Sequence, residues 1–181
     1  MDEFQRALAA IPDALAEQER LRKRVDVRER CIKVNRDEVT ATPYIVWNAF
    51  VILLGELPFD RMTEIQRSAS LAFHYDSEVQ NGGHFQFFVN AAECPERDVP
   101  GALDHLSLQA HAALLRDARL RWESHTRRLP ANATEFVDEA LDDEFGDIDT
   151  RYRQLRPTIS DALQSLLDRS QEEFVRIEPD R

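Results

Sequence analysis

The tripeptide Asn81-Gly82-Gly83 restricts this chain more than any other feature, because of what lies on either side of it. Upstream, "TEIQ" (Thr63 to Gln66) has the form of a capping box. Ile65, Ala69, Ala72, Phe73 and Val79 then recur at helical spacing, which predicts a helix from Thr63 to about Gln80. Downstream, "HFQFFVNAA" reads as a second helix, with Phe85, Phe87 and Phe88 as core residues. Glycine enters the left-handed region at little cost and so ends helices cleanly. Two amphipathic segments around such a break predict a helix–helix corner.

The rest of the chain is punctuated in the same way. Pro12 is placed to open a helix through "PDALAEQERLRKRV", and Thr42-Pro43 to open another that stops near Gly55. Almost every side chain of "YIVWNAFVILLGEL" is apolar, the pattern of a helix buried by its neighbours. Pro100 begins a helix with Leu103, Leu106, Ala110, Ala113 and Leu114 inward. After Pro130, "ATEFVDEALDDEFGDIDTRY" reads as one more, and a last helix follows Pro157-Thr158 with Ile159, Leu163, Leu166 and Leu167. Sustained period-two alternation, the mark of strands, is missing. The expectation is an all-α fold, a compact single-domain bundle of about seven helices, with residues 1–40 as an N-terminal helical segment and 41–181 as the main domain.

With 43% hydrophobic residues the chain can bury a core despite 31% charge. Its 34 acidic and 23 basic residues leave a net charge of −11, which repels phosphate and argues against direct nucleic-acid binding. The longest apolar run is too short to cross a bilayer. The acidic N-terminus does not resemble a signal peptide, and Cys31 and Cys94 form no C-x-x-C pair. A cytoplasmic location without membrane contact is expected.

His74 and Glu78 share a helical face, and His84 lies just past the glycine turn, so the three are candidate metal ligands. The pattern is not H-E-x-x-H, and the preferred reading is that His74 and Glu78 hydrogen-bond backbone around the corner. The amides of Asn81 to Gly83 are placed to meet an anion, but no Lys or Thr follows to complete a phosphate loop. Ser70, His74 and Asp76 carry the residue types of a Ser-His-Asp triad, yet nothing marks the serine as activated. No cofactor and no catalytic residue is expected.

The acidic run is more distinctive. Glu135, Asp138, Glu139, Asp142, Asp143, Glu144, Asp147 and Asp149 occur with no basic residue among them. On one helix, Glu135, Glu139, Asp143 and Asp147 form a ridge opposite Phe136, Val137, Ala140, Leu141 and Phe145. Like charges at this spacing cost a few tenths of a kcal/mol per pair. Eight charges over about 22 Å of helix are roughly one per 3 Å, close to the ~3.4 Å of one DNA strand. Two readings stay open: a binding face for a basic protein partner, formed by Glu135, Asp138, Glu139, Asp142, Asp143 and Asp147, or a solvated helix surface. Basic residues gather elsewhere, in "RLRKRVDVRERCIKVNR" and at Arg116, Arg119 and Arg121, which gives the surface an uneven charge.

"DSEVQNGGHFQFFVN", preceded by "EIQRSASLAFHY", resembles the helical domain of unknown function found at the C-terminus of the DNA-mimic protein family. Asp76, Glu78, Asn81, Gly82, Gly83, Gln86, Phe87 and Asn90 carry the resemblance, which covers roughly residues 43–152. It implies a bacterial, dimeric, acidic helical protein that occupies the DNA-binding surface of a transcriptional regulator, with no enzymatic activity and no cofactor. Two alternatives remain: an immunity- or antitoxin-type inhibitor of a basic toxin such as a nuclease, and a metal-dependent enzyme using His74, Glu78 and His84.

Overall fold

Residues 3–90, 95–124, 126, 129–132, 134–137 and 144–179 are described by a computed structural model, residues 3–10 through their backbone alone. Eight α-helices and one small three-stranded sheet are found among them, so the fold is mostly helical as expected. Two compact units are formed, one from the chain up to Gln66 together with Leu166 onward, the other from Arg67–Ser165.

The first unit holds α1 (Glu3–Arg22), β1 (Val25–Asp26), β2 (Cys31–Asn35), α2 (Arg36–Ala41), α3 (Ile45–Glu56) and β3 (Val175–Glu178). β1 and β2 are antiparallel, with Val25 opposite Ile32. β2 and β3 are parallel, with Ile32 opposite Val175 and Asn35 opposite Glu178. This sheet escaped the sequence reading for a physical reason. In β2, Cys31, Ile32 and Val34 are all buried and Lys33 is partly so, which leaves no clean alternation. Its parallel partner arrives from the far end of the chain. The rings of Phe174 and Phe50 meet in a T-shaped pair with centroids 4.9 Å apart.

Several helix ends differ from expectation. α1 passes through Pro12 instead of starting there. α3 begins at Ile45 and continues past Gly55 to Glu56, with Ile45, Ala49, Phe50, Leu53 and Leu54 buried and its other residues half-buried or exposed. The basic N-terminal segment is partly neutralised locally: Arg20 and Arg24 bond Glu38, Arg22 bonds Glu56, and Lys33, like Arg176 of β3, bonds Glu29. Glu38 also accepts the Asn35 amide in a capping box, and the Arg24 hydrogen bond does most to hold its carboxyl at about 2.

α4 (Glu64–Val89) carries the expected capping box, the Thr63 amide donating to Gln66 Oε1 at 3.0 Å. The same Gln66, 1% exposed, donates through Nε2 to the carbonyls of Arg30 (2.7 Å) and Glu173 (2.6 Å), which ties the hairpin turn to the segment before β3. In the second unit, the helix expected from Pro100 is two, α5 (Val99–His105) and α6 (Gln109–Glu123). Ser107 turns the chain between them at φ 63, and this resets the helical face so that Ala110 and Ala113 point to solvent. α7 (Gly146–Gln154) and α8 (Ile159–Ser170) follow, and Thr158 and Asp161 cap α8 reciprocally. Phe85, Phe87 and Phe88 are core residues as expected, with Phe88 stacked on Trp122 at 5.1 Å.

Candidate functional site

The corner at Asn81 to Gly83 gathers a set of buried and half-buried polar side chains in the second unit. Gly82 has an ordinary φ of −150°, whereas Gly83 has φ 71° and ψ −173°, a region essentially closed to other residues. A Cβ on Gly83 would lie 2.2 Å from Asp149 Oδ2, so glycine is also what allows α7 to bring that carboxylate against the backbone. Asp149 Oδ1 accepts the His84 amide at 3.0 Å and lies 2.5 Å from His84 Nδ1.

A carboxylate only accepts, so Nδ1–H donates to Asp149, and Nε2 is hydrogen-bonded with the Tyr75 hydroxyl at 2.8 Å. His84 is 0% exposed and both its ring nitrogens are used within the fold. Beside it, the Tyr152 hydroxyl donates to Asp76 Oδ1 at 2.5 Å, and the edge of His111 meets the Tyr152 ring at 5.6 Å. Burial, with Asp149 and Asp76 adding to it, pushes the Tyr75 phenol well above its ordinary value. Burial does the same to Tyr152, so both phenols remain donors. Burial lowers His111, with Asp76 acting in the opposite direction.

The other motif residues lock the second half of α4 onto the first. Glu78 Oε2 accepts from Gln86 Nε2 at 3.0 Å and Asn90 Nδ2 at 2.7 Å, and Phe87 packs on Tyr75 at 5.0 Å. His74, Glu78 and His84 therefore do not act together: Glu78 meets side-chain amides, His84 meets Asp149 and Tyr75, and buried His74 Nε2 lies near no hydrogen-bonding group of the described residues. His84 has no nitrogen left for a metal. Asp149, Tyr75, Tyr152 and His111 were not singled out in the sequence. In sequence Asp149 is one acid in an acidic run, and only the fold turns it inward.

The acidic segment is divided. Residues 134–137 are helical, Glu144 and Phe145 form a turn, and Asp147 lies in the first turn of α7, so one uninterrupted ridge from Glu135 to Asp147 is not formed. The reason is local. Glu135 caps its own helix, accepting from the Ala131 amide and Asn132 Nδ2. Asp147 is ion-paired with Arg121, which holds its carboxyl below the usual range and also donates to the Glu144 carbonyl at 2.7 Å. Phe136 packs on Phe85 as an inward residue should, but Val137, expected to be buried, is 53% exposed. Asp138, Glu139, Ala140, Leu141, Asp142 and Asp143 lie outside the described residues. Arg116 and Arg119, like Arg121, are paired with acids, Asp104 and Glu96 respectively.

Among the described residues no helix is long and apolar enough to cross a membrane. The model of a family described as DMP19-like protein matches residues 60–173, which include the corner, its buried cluster and the acidic segment. No curated protein and no solved structure matches the chain.

Proposed function

We propose that this chain, which belongs to the DMP19-like protein family, is an acidic binding protein of the DNA-mimic kind. It occupies the basic nucleic-acid-binding surface of a protein partner, a transcriptional regulator in the first instance, and acts by occlusion and not by catalysis. Family membership carries the reading. Charge supports it: residues 67–165 hold 17 acidic and 10 basic residues, a surplus of seven out of the chain's −11. A field of that sign speeds encounter with a basic surface and weakens as salt screens it. The closed hydrogen bonding of His84 and Glu78 fits a structural corner better than a metal-dependent enzyme.

The partner face includes Glu135, Asp138, Glu139, Asp142, Asp143 and Asp147, presented by a homodimer in the cytoplasm of a bacterium. The direct test is to immobilise the protein, capture partners from lysate of the source organism at low salt, and elute with duplex DNA. Release of a DNA-binding protein by DNA supports mimicry. Capture of a secreted or toxic nuclease favours the immunity-type reading, and the absence of any DNA-releasable protein rejects both.

A further inference from the structure

We propose that the cleft beside the β1–β2 hairpin, lined by Val27, Arg28, Arg30, Asp60, Arg61 and Met62, binds a small phosphate-bearing anion. Its volume is about 680 Å³, within the range of small-ligand sites. Three guanidinium groups face one carboxylate there, on a chain whose net charge is −11.

The arginines of this cleft differ from their neighbours. Arg20, Arg22, Arg24 and Arg176 each reach a glutamate within 2.9 Å. Among the described residues, the side chains of Arg28 and Arg30 form no hydrogen bond or ion pair, and Arg61 reaches only its neighbour Asp60, at 3.7 Å. Arg30 also holds an uncommon backbone. Its φ is 57°, a left-handed position that glycine or asparagine fills at lower cost.

That position is fixed from both sides. The Arg30 amide donates to the Asp26 carbonyl at 2.6 Å, and its own carbonyl accepts from buried Gln66. The Asp26 side chain secures the same turn by accepting the Arg28 and Glu29 amides, both at 2.9 Å. The fixed turn therefore carries two of the three arginines that line the cleft, and Arg61 is the third. Several forked donors lining one cleft suit an anion with several oxygens, which a phosphate offers and a single carboxylate does not. Val27 and Met62 supply an apolar wall for the organic part of such a ligand.

Titration calorimetry of the full chain with pyrophosphate, at fixed ionic strength, tests the site. Saturable binding of one pyrophosphate per chain is expected, weakened about tenfold or more by Arg30→Gly or by Arg61→Gln, each of which removes a charged hydrogen-bond donor. Arg30→Gly preserves the turn, because glycine accepts a positive φ without strain, and its melting temperature should not fall. Arg22→Gln, which disrupts the pair with Glu56, should leave binding unchanged. Tighter binding of a nucleoside diphosphate would show that the natural ligand is an organic phosphate lying on Val27 and Met62; equal binding would assign the site to phosphate itself. The proposal is overturned if millimolar pyrophosphate gives no saturable heat, or if both Arg30→Gly and Arg61→Gln bind it as wild type does.

Discussion

Replacing Gly83 by alanine tests whether the corner is built as its geometry implies. Two costs arise together. The backbone at φ 71°, ψ −173° is strained for any residue with a Cβ, by roughly 1–3 kcal/mol. The new methyl group would lie 2.2 Å from Asp149 Oδ2 and 3.0 Å from Cγ, so the carboxylate must withdraw from the His84 amide and ring. Hydrogen bonds to charged groups are worth about 1.5–3 kcal/mol, and buried His84 has no water to replace them. Because one movement relieves part of both costs, the expected loss is about 3–5 kcal/mol rather than the full sum. At ~2–4 °C per kcal/mol for a chain of this size, melting followed by far-UV circular dichroism should fall by roughly 6–20 °C. Gly82→Ala is the contrast. Its φ is ordinary, but the new Cβ would lie 2.3 Å from Gln86 Oε1 and 2.9 Å from Gln86 Cβ, so Gln86 must shift away from Glu78 and a smaller loss of about 1–3 kcal/mol is expected. In a double-mutant cycle with Asp149→Ala, Gly83→Ala should cost less than it does alone, since the collision has been removed. A Gly83→Ala protein that melts within a degree or two of wild type would refute the argument, as would strict additivity with Asp149→Ala.

Three further outcomes follow. Burial raises the phenols of Tyr75 and Tyr152, so a folded protein titrated with base and followed by tyrosinate absorbance should show at most one tyrosine's reversible amplitude, from Tyr44, which is 63% exposed; two or more before unfolding would contradict the buried cluster. Glu38 has a folded value of about 2 against an ordinary 4.5, so its contribution to stability is complete above about 4.5 and is lost as pH falls toward 2; Glu38→Gln should flatten that part of a stability–pH curve measured by urea unfolding. Reversing Glu139 and Asp143 to lysine should slow association with a captured partner and abolish competition with DNA while the circular dichroism spectrum is unchanged, and wild-type binding by that variant would remove the acidic segment from the interface.

The helical class and the corner were readable because their signals are local: a capping box, an apolar stripe of period 3.6 and a glycine break all lie within one stretch of chain. What the sequence hid depends on residues brought together from a distance. β3 pairs with β2 across almost the whole chain, and neither strand alternates cleanly enough to stand out. The break at Ser107 has no glycine or proline to announce it, so two helices read as one. Asp149 lies among seven other acids and is distinguished only by its bonds to His84. Spacing left the metal alternative open on the same ground. Spacing placed His74 and Glu78 on one face, but it could not show that Gln86 and Asn90 return from beyond the corner to meet Glu78.

The structure also changes where the negative charge relevant to mimicry should be sought. In residues 67–165 four acids are neutralised by arginines: Glu96 by Arg119, Asp104 by Arg116, Asp117 by Arg151 and Asp147 by Arg121. Asp76, Glu78 and Asp149 are committed to the corner, Glu135 to capping its helix and Asp161 to capping α8. A carboxylate with a guanidinium beside it adds little to the field a Debye length away, about 8 Å at physiological salt. The four arginine-paired acids therefore add little to the surplus of seven. Of the segment's other acids, Asp138, Glu139, Asp142, Asp143 and Glu144 fall within seven consecutive positions. The ridge read from the sequence counted Glu135 and Asp147 as equals of Glu139 and Asp143. Their bonding separates them: Glu135 accepts from the Ala131 amide and Asn132 Nδ2, and Asp147 is ion-paired with Arg121, which leaves less of the Asp147 charge for a basic partner.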